Sequence, residues 1–540
     1  MPNFMQHKWF LPSTLAVLAF ILYAQSLFFG YTYLDDDRLV ANNFWFIGSS
    51  SGITQAFTRD VFLSTTAIYY RPLVTVSLAI DAFFARSPDN LLPFHFSNIM
   101  LHGAVVVLLY FFLQKLGYSK RVSFLSSLLF LVHPAFVQAV AWIPGRNDSL
   151  LALFLLLSIL SFLHFLEKKS WVWLGAGVVT FALALFTKES AAMFPLLILP
   201  LVVAWNKKKP AFLYQWVLMM GLLTVYLVWF VARSNVVISS TSFSIVGFIA
   251  AFIHNYSAFF VYLGKLIIPI HQSVFPIVNG YSPNLGVFVF AVFVGILFFL
   301  RKKRTVFLRA TFGLTWFSLF LFPVILFHNE GFALGQDVQL EHRLYVPSIG
   351  MLIFLLEVFV YFRNKKWQKL YFTAIGLIIV IFAAKTLVYS RSFISREVFW
   401  DQAVKTSPLS AFAHRNRAAM YQLAGNPDQA EFAYQQSLKL HAEEPMVHGN
   451  LGLIAYERGD LEQAEQLYLK EIEINPAFSL AYLNLGRLQI DQKRLEEARK
   501  NLWTAYLLEP QDTASLRLFI ETYKESDPEK FAQLQAKFFK

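Results

Sequence analysis

The feature that most constrains this chain is a succession of apolar runs, each about as long as a bilayer is thick. A helix rises about 1.5 Å per residue, so roughly 20 residues cross the hydrocarbon layer. Such runs occupy residues 9–29, 96–114, 121–139, 148–166, 171–187, 190–205, 211–232, 285–300, 306–327, 344–362 and 369–388. In lipid the backbone polar groups can bond only to one another, so the runs predict helices. The expected fold class is all-α: a polytopic membrane protein with about 11 transmembrane helices over 1–390, a linker over 391–410 and a soluble helical domain over 411–540. With 56% hydrophobic and 15% charged residues, a soluble protein of this length is excluded.

The net charge of +12 sits in short Lys and Arg clusters between the runs, which is topology information and excludes a nucleic-acid patch. With residue 1 in the cytoplasm, every dense cluster falls inside: Lys115, Lys120 and Arg121; Lys168 and Lys169; Lys207, Lys208 and Lys209; Arg301 to Arg304; Arg363, Lys365 and Lys366. The outside receives residues 30–95, the 145–148 turn, Lys188–Glu189, 233–284, 328–343 and everything after about 389. Residues 246–268 are also apolar enough to span, but counting them would send Arg301–Arg304 outside. They carry His254, Asn255 and Lys265, so helices lying in the outer interface or re-entering it are expected there. The chain has no cysteine, which excludes disulfides and Cys nucleophiles and fits a bacterial inner membrane. His7 and Lys8 precede the first run and no A-x-A-like site follows it, so that helix is read as uncleaved.

Directly after the first run come three carboxylates, Asp35, Asp36 and Asp37, in TYLDDDRLVANN. A charge at mid-bilayer costs roughly 2.5–3.5 kcal/mol, so these acids sit at the water-facing rim. Adjacent acids repel, and at least one should have a raised pKa unless a cation or substrate compensates. They suit the removal of a proton from an acceptor, a divalent metal site, or a solvated helix stop. The loop that holds them, 30–95, is long enough to be functional. Ala67–Phe84 within it reads as an amphipathic helix on the membrane, with Arg71 and Pro72 near its start.

Other polar groups cluster at outer helix ends. His95, Asn98 and His102 share one helix face, lining a polar entrance or hydrogen-bonding between helices. His133–Pro134, Gln138 and Gly145–Arg146–Asn147–Asp148 mark the next outer end, where Arg146 and Asp148 either act on a ligand or pair with each other. Lys188–Glu189 forms a tight outer hairpin. Glu341, His342 and Arg343 open another run, followed by Tyr345. An arginine fork matches phosphate geometry, so Arg343 beside apolar walls fits a lipid-phosphate donor; otherwise it is a snorkelling anchor.

From about 395 a 34-residue period appears. It relates Leu451 to Leu485, Gly452 to Gly486, Ala430 to Ala464 and Ala498, and Pro476 to Pro510. That is the tetratricopeptide spacing. Two units, 445–478 and 479–512, are plain; 411–444 is weaker, with its proline displaced to Pro445, and the helix from 514 reads as a polar cap.

Taken together, the chain resembles the transmembrane and tetratricopeptide-repeat O-mannosyltransferases of the GT-C superfamily. The resemblance rests on DDDRLVANN (35–43), YYRPL (69–73), HPAFVQAVAWIPGRND (133–148), TKES (187–190) and EHRLYVPSIG (341–350), followed by the repeats. The family's paired-Asp motif falls on Asp35 and Asp36. Asp37 occupies a variable position, which leaves the base open, and the array is shorter than usual there. The resemblance implies transfer of one sugar from a polyprenyl-phosphate carrier to a hydroxyl of an acceptor protein held by the repeats. On that reading one of Asp35, Asp36 and Asp37 is the base, with inversion at the anomeric carbon. Arg343, Glu341, Lys188 and Arg71 serve the donor phosphate, and His95, His102, His133, Arg146, Asp148, Glu189 and Tyr345 the donor and acceptor pocket. A glycan or lipid acceptor, and a non-enzymatic membrane-tethered scaffold, are the competing readings.

Overall fold

Pro134 has no backbone N–H to donate, and the helix that runs into it breaks there. The helices Lys120–Leu131 and Pro134–Ala141 meet at an angle of 56°. This computed structural model describes residues 8–62, 69–205, 212–237, 245–326, 338–510 and 513–539. Lys207, Lys208 and Lys209, the 63–68 part of the first outer loop and the 328–337 part of the later one lie outside the described residues.

Two compact units divide the chain, Met1–Thr406 and Ser407–Lys540. The first contains α1 (Phe10–Tyr23), α2 (Pro72–Ala85), α3 (Leu92–Lys115), α4 (Lys120–Leu131), α5 (Val137–Ala141), α6 (Arg146–Lys168), α7 (Trp171–Thr187) and α8 (Pro195–Trp205). It continues with α9 (Phe212–Ser234), α10 (Ile245–Ile267), α11 (Asn284–Leu300), α12 (Arg304–Ile325), α13 (Tyr345–Phe362), α14 (Gln368–Ser390) and α15 (Arg396–Thr406). Every predicted apolar run is helical, but the count differs. Among the described residues seven helices are long and apolar enough to cross a membrane, or eight if the bent α4–α5 pair is one span. The runs at 171–187 and 285–300 form 17-residue helices, below the length that a straight crossing needs. The 246–268 stretch forms one unbroken helix, α10, without the internal turn of a re-entrant segment.

Two hairpins form the heart of the bundle. In one, α12 crosses α13 where Gly313 faces Gly350: a Cβ on either would lie 2.6 Å or 2.5 Å from the other's carbonyl oxygen. Contact this close needs two residues without side chains, the small-residue packing typical of membrane helices. In the other, α6 and α7 close around Gly177, whose position is filled by the Phe162 ring. Charged groups gather at both ends of the bundle. At one end Lys115 pairs with Glu167, Tyr118 donates to Glu357, and Arg121 lies over the Phe372 ring. The opposite end carries Asp148, Lys188 and Arg343.

The amphipathic segment of the first loop is α2, shorter than predicted because Pro72 starts it. Its missing N–H and fixed φ suit a first helical turn. Val74, Leu78, Ala82 and Ala85 face inward and Ile80, Phe83 and Phe84 outward. The expected linker over 391–410 is largely α15, inside the first unit. Phe399, Trp400 and Ala403 give it a buried face, and Trp400 packs on Phe275.

The second unit stacks helix pairs: α16 (Ala411–Leu423) with α17 (Pro427–Leu440), α18 (Val447–Glu457) with α19 (Leu461–Ile474), and α20 (Ser479–Asp491) with α21 (Leu495–Leu508). The weak first repeat is thus a complete pair. Gly452 faces the Tyr468 ring and Gly486 faces Leu502, at separations that leave no room for a Cβ. Ala464 and Ala498 are fully buried at the crossings. The cap is two helices, α22 (Thr513–Glu521) and α23 (Pro528–Phe538), held by Trp503 against Phe519 and Phe538.

Candidate active site

The 3₁₀ segment Ala24–Phe28 and a non-helical stretch separate α1 from the acidic triplet, whose backbone sets the three acids on different paths. Asp35 has φ +68, a left-handed conformation that Asp adopts more readily than most residues. A π-helical turn over Asp37–Ala41 follows, with its amide ladder shifted by one residue. The result separates neighbours. Asp35 faces a pocket; Asp36 is buried, its Oδ2 accepting from the Thr32 amide at 2.8 Å and hydroxyl at 2.9 Å. Asp37 does not line the pocket. Burial, and then the charge of Asp37, push the Asp35 carboxyl up to about 6, opposed by Arg38, Arg71 and Arg343. Burial pushes Asp36 up to about 7 despite its bonds from Thr32.

Four other segments wall the pocket. The first loop brings Tyr69 and Arg71, α6 brings Asn147 and Asp148, the α7 hairpin brings Lys188, Glu189 and Ser190, and the start of α13 brings His342, Arg343, Val346 and Pro347. Leu151, Phe320, Pro323 and Val324 add an apolar side. The charges are mutually arranged. Arg71 Nε donates to Glu189 at 3.0 Å and its guanidinium lies over the Tyr69 ring. The carboxylate of Glu189 holds the Arg71 guanidinium firmly charged, above its ordinary range, against the opposing effect of burial. Lys188 donates to both oxygens of Asp148. Arg343 donates to the Val338 carbonyl at 3.0 Å. His342 Nε2 stands 3.6 Å from Asp148 Oδ2.

Of the predicted site residues, Asp35, Arg71, Asp148, Lys188, Glu189 and Arg343 meet here. The others lie elsewhere; apart from Asp37, the side chain of each has a structural partner. Arg146 does not pair with Asp148: it is fully buried, forms an ion pair with Asp81 of α2 and donates to the Phe94 carbonyl at 2.8 Å. Gly145 permits this turn, because a side chain there would strike the Gln138 carbonyl. Glu341 points away into Lys265 at 2.8 Å and the Ser273 amide at 3.0 Å. His95 bonds the Phe29 carbonyl, His133 the Leu266 carbonyl, and His102 joins Tyr345 to the Leu131 carbonyl. These four polar rings tie helices together, where apolar surroundings make an unpaired group costly. Sequence reading named His342, Asn147 and Tyr69 within motifs but gave them no role at the site; the signal was their adjacency to Arg343, Asp148 and Arg71. A divalent metal has no evident cradle: among the described residues no three His, Asp or Glu gather in a group able to hold one.

A helical membrane bundle with a cation-rich pocket beside an apolar wall, joined to tetratricopeptide repeats, is the class defined by the fold. Residues 95–232 match the family described as dolichyl-phosphate-mannose-protein mannosyltransferase, and 417–477 and 467–500 match tetratricopeptide repeats. Among similar proteins are the mouse (Mus musculus) protein O-mannosyl-transferases TMTC1, 34% identical over 24% of this chain, and TMTC4, 33% identical over 22%. The matched stretches span only 12% and 19% of those relatives. A solved structure, "Functional Characterization of Pseudomonas Aeruginosa pilF", is 24% identical with a TM-score of 0.25, covering 26% of this chain and 66% of that one. This chain is a repeat-bearing, multi-pass membrane protein similar to the protein O-mannosyltransferases.

Proposed function

We propose that this protein is a glycosyltransferase that moves one sugar, mannose, from a polyprenyl-phosphate carrier to Ser or Thr hydroxyls of an extracytoplasmic protein. One observation carries the reading: Asp35 shares a pocket with Arg71, Lys188 and Arg343, at the bundle end away from the Lys115, Lys168 and Arg301 clusters. Asp35 takes the proton of the acceptor hydroxyl as that oxygen bonds to the anomeric carbon. The bond from the anomeric carbon to the phosphate oxygen breaks, and the phosphate leaves with the electron pair. A carboxyl with a pKa near 6 is a stronger base than an ordinary aspartate and is still ionised at neutral pH. The three cations meet the charge that develops on the leaving phosphate, where low dielectric strengthens their effect. The carrier tail follows the apolar wall of Leu151, Phe320 and Val324 into the bilayer. A single displacement, without an enzyme nucleophile, inverts the anomeric centre. The repeats hold the acceptor protein.

The test is transfer in membranes bearing the wild type or Asp35→Asn, with a radiolabelled polyprenyl-phosphate mannose donor and protein and lipid fractions counted separately. Label in protein that disappears in the variant is expected. Label in glycolipid alone moves the acceptor to another class. Absence of Asp35-dependent label from any polyprenyl-phosphate sugar overturns the reading.

A further inference from the structure

One wall of the pocket is rich in hydrogen-bond acceptors. Asn147 lines it, more than nine-tenths buried, and its amide oxygen has no hydrogen-bond partner. Asp148 is next to it; a carboxylate offers about four lone-pair positions, and Lys188 occupies only part of them. The third is His342. Its ring Nδ1 lies 3.2 Å from Gln138 Oε1, and the orientation of that amide is fixed because its nitrogen donates to the Val274 carbonyl at 3.1 Å. Nδ1 therefore carries the hydrogen, and in the neutral ring Nε2 presents a bare lone pair 3.6 Å from Asp148 Oδ2. Two acceptors cannot bond each other, so each is left to accept from the pocket side, and a ligand with hydroxyl hydrogens supplies those donors.

Resting on the proposed lipid-phosphate donor, we infer that Asn147, Asp148 and His342 form the subsite that grips the hydroxyls of the sugar ring. An ionised phosphate has no hydrogen to give this wall; it belongs with Arg71, Lys188 and Arg343. Adjacent ring hydroxyls can donate to His342 Nε2, Asp148 Oδ2 and the Asn147 oxygen. Trp142, whose ring lies 5.4 Å from that of His342, closes the apolar side of the same corner.

The experiment measures binding to the purified full chain in lipid nanodiscs of two probes: a short polyprenyl phosphate, and the same lipid carrying mannose. Asn147→Ala and His342→Phe are each expected to weaken the mannosyl probe about tenfold and to leave the bare phosphate within about twofold, the scale of one lost hydrogen bond in a site closed to water. His342→Gln, which returns an acceptor near Nε2, recovers part of the loss. Equal weakening of both probes, or no weakening of either, overturns the subsite and leaves the donor reading standing. A wild type that binds neither probe overturns both.

Discussion

Lys188 donates to both carboxylate oxygens of Asp148, at 2.8 and 2.7 Å, and both side chains are largely buried. The pair joins the end of α7 to the start of α6, so it positions pocket residues and supplies charge at once. Removing one partner leaves the other buried without compensation, which typically costs about 3–5 kcal/mol. Lys188→Met is therefore expected to lower the melting temperature in detergent markedly. Lys188→Met with Asp148→Asn is expected to recover most of that stability and none of the donor binding. A Lys188→Met melting temperature equal to that of the wild type would show that the pair contributes nothing to the fold.

Asp35 and Asp36 are adjacent in sequence and differ in environment. Asp35→Asn removes the base and is expected to reduce transfer by a factor on the order of 10² to 10⁴ with little change in folding. Asp36 is held with a raised pKa and bonded by Thr32, so Asn mimics its protonated form. Its replacement is expected to reduce transfer less than about tenfold. Initial rates on a common acceptor distinguish the two, and the reverse order would reassign the base.

The base must be ionised to act, and Asp35 loses its proton at about 6. Below that, kcat/KM is expected to fall about tenfold per pH unit; above it, to level off. The acid limb should disappear from the residual activity of Asp35→Asn. A plateau extending down to pH 4.5 would place the base elsewhere.

The Gly313–Gly350 crossing leaves no space for a methyl group on either helix. Gly313→Ala and Gly350→Ala are each expected to cost about 1–3 kcal/mol, the range for overpacking a filled interior. Because α12 and α13 carry Phe320, Val346 and Pro347 into the pocket, donor KM should rise with the loss of stability. A crossing that opens freely would change neither.

Much of this was legible in the sequence because it is local. Apolar runs and the 34-residue period report what a segment must do with its own backbone and its nearest neighbours, and every run and repeat became helix. The same locality marked Asp35, Arg71, Lys188, Asp148 and Arg343, since rim positions between apolar helices restrict where charge can go. What only the tertiary structure decided was the direction of each polar group. Asp35 faces the pocket and Asp36 the Thr32 amide because of one positive φ and a π-helical turn. Arg146 chose Asp81 over Asp148, Glu341 chose Lys265, and His342 entered the site between residues that drew attention first. These outcomes depend on partners far away in the chain, and burial makes each pairing all or nothing: a polar group inside the bundle takes whichever partner packing brings within reach.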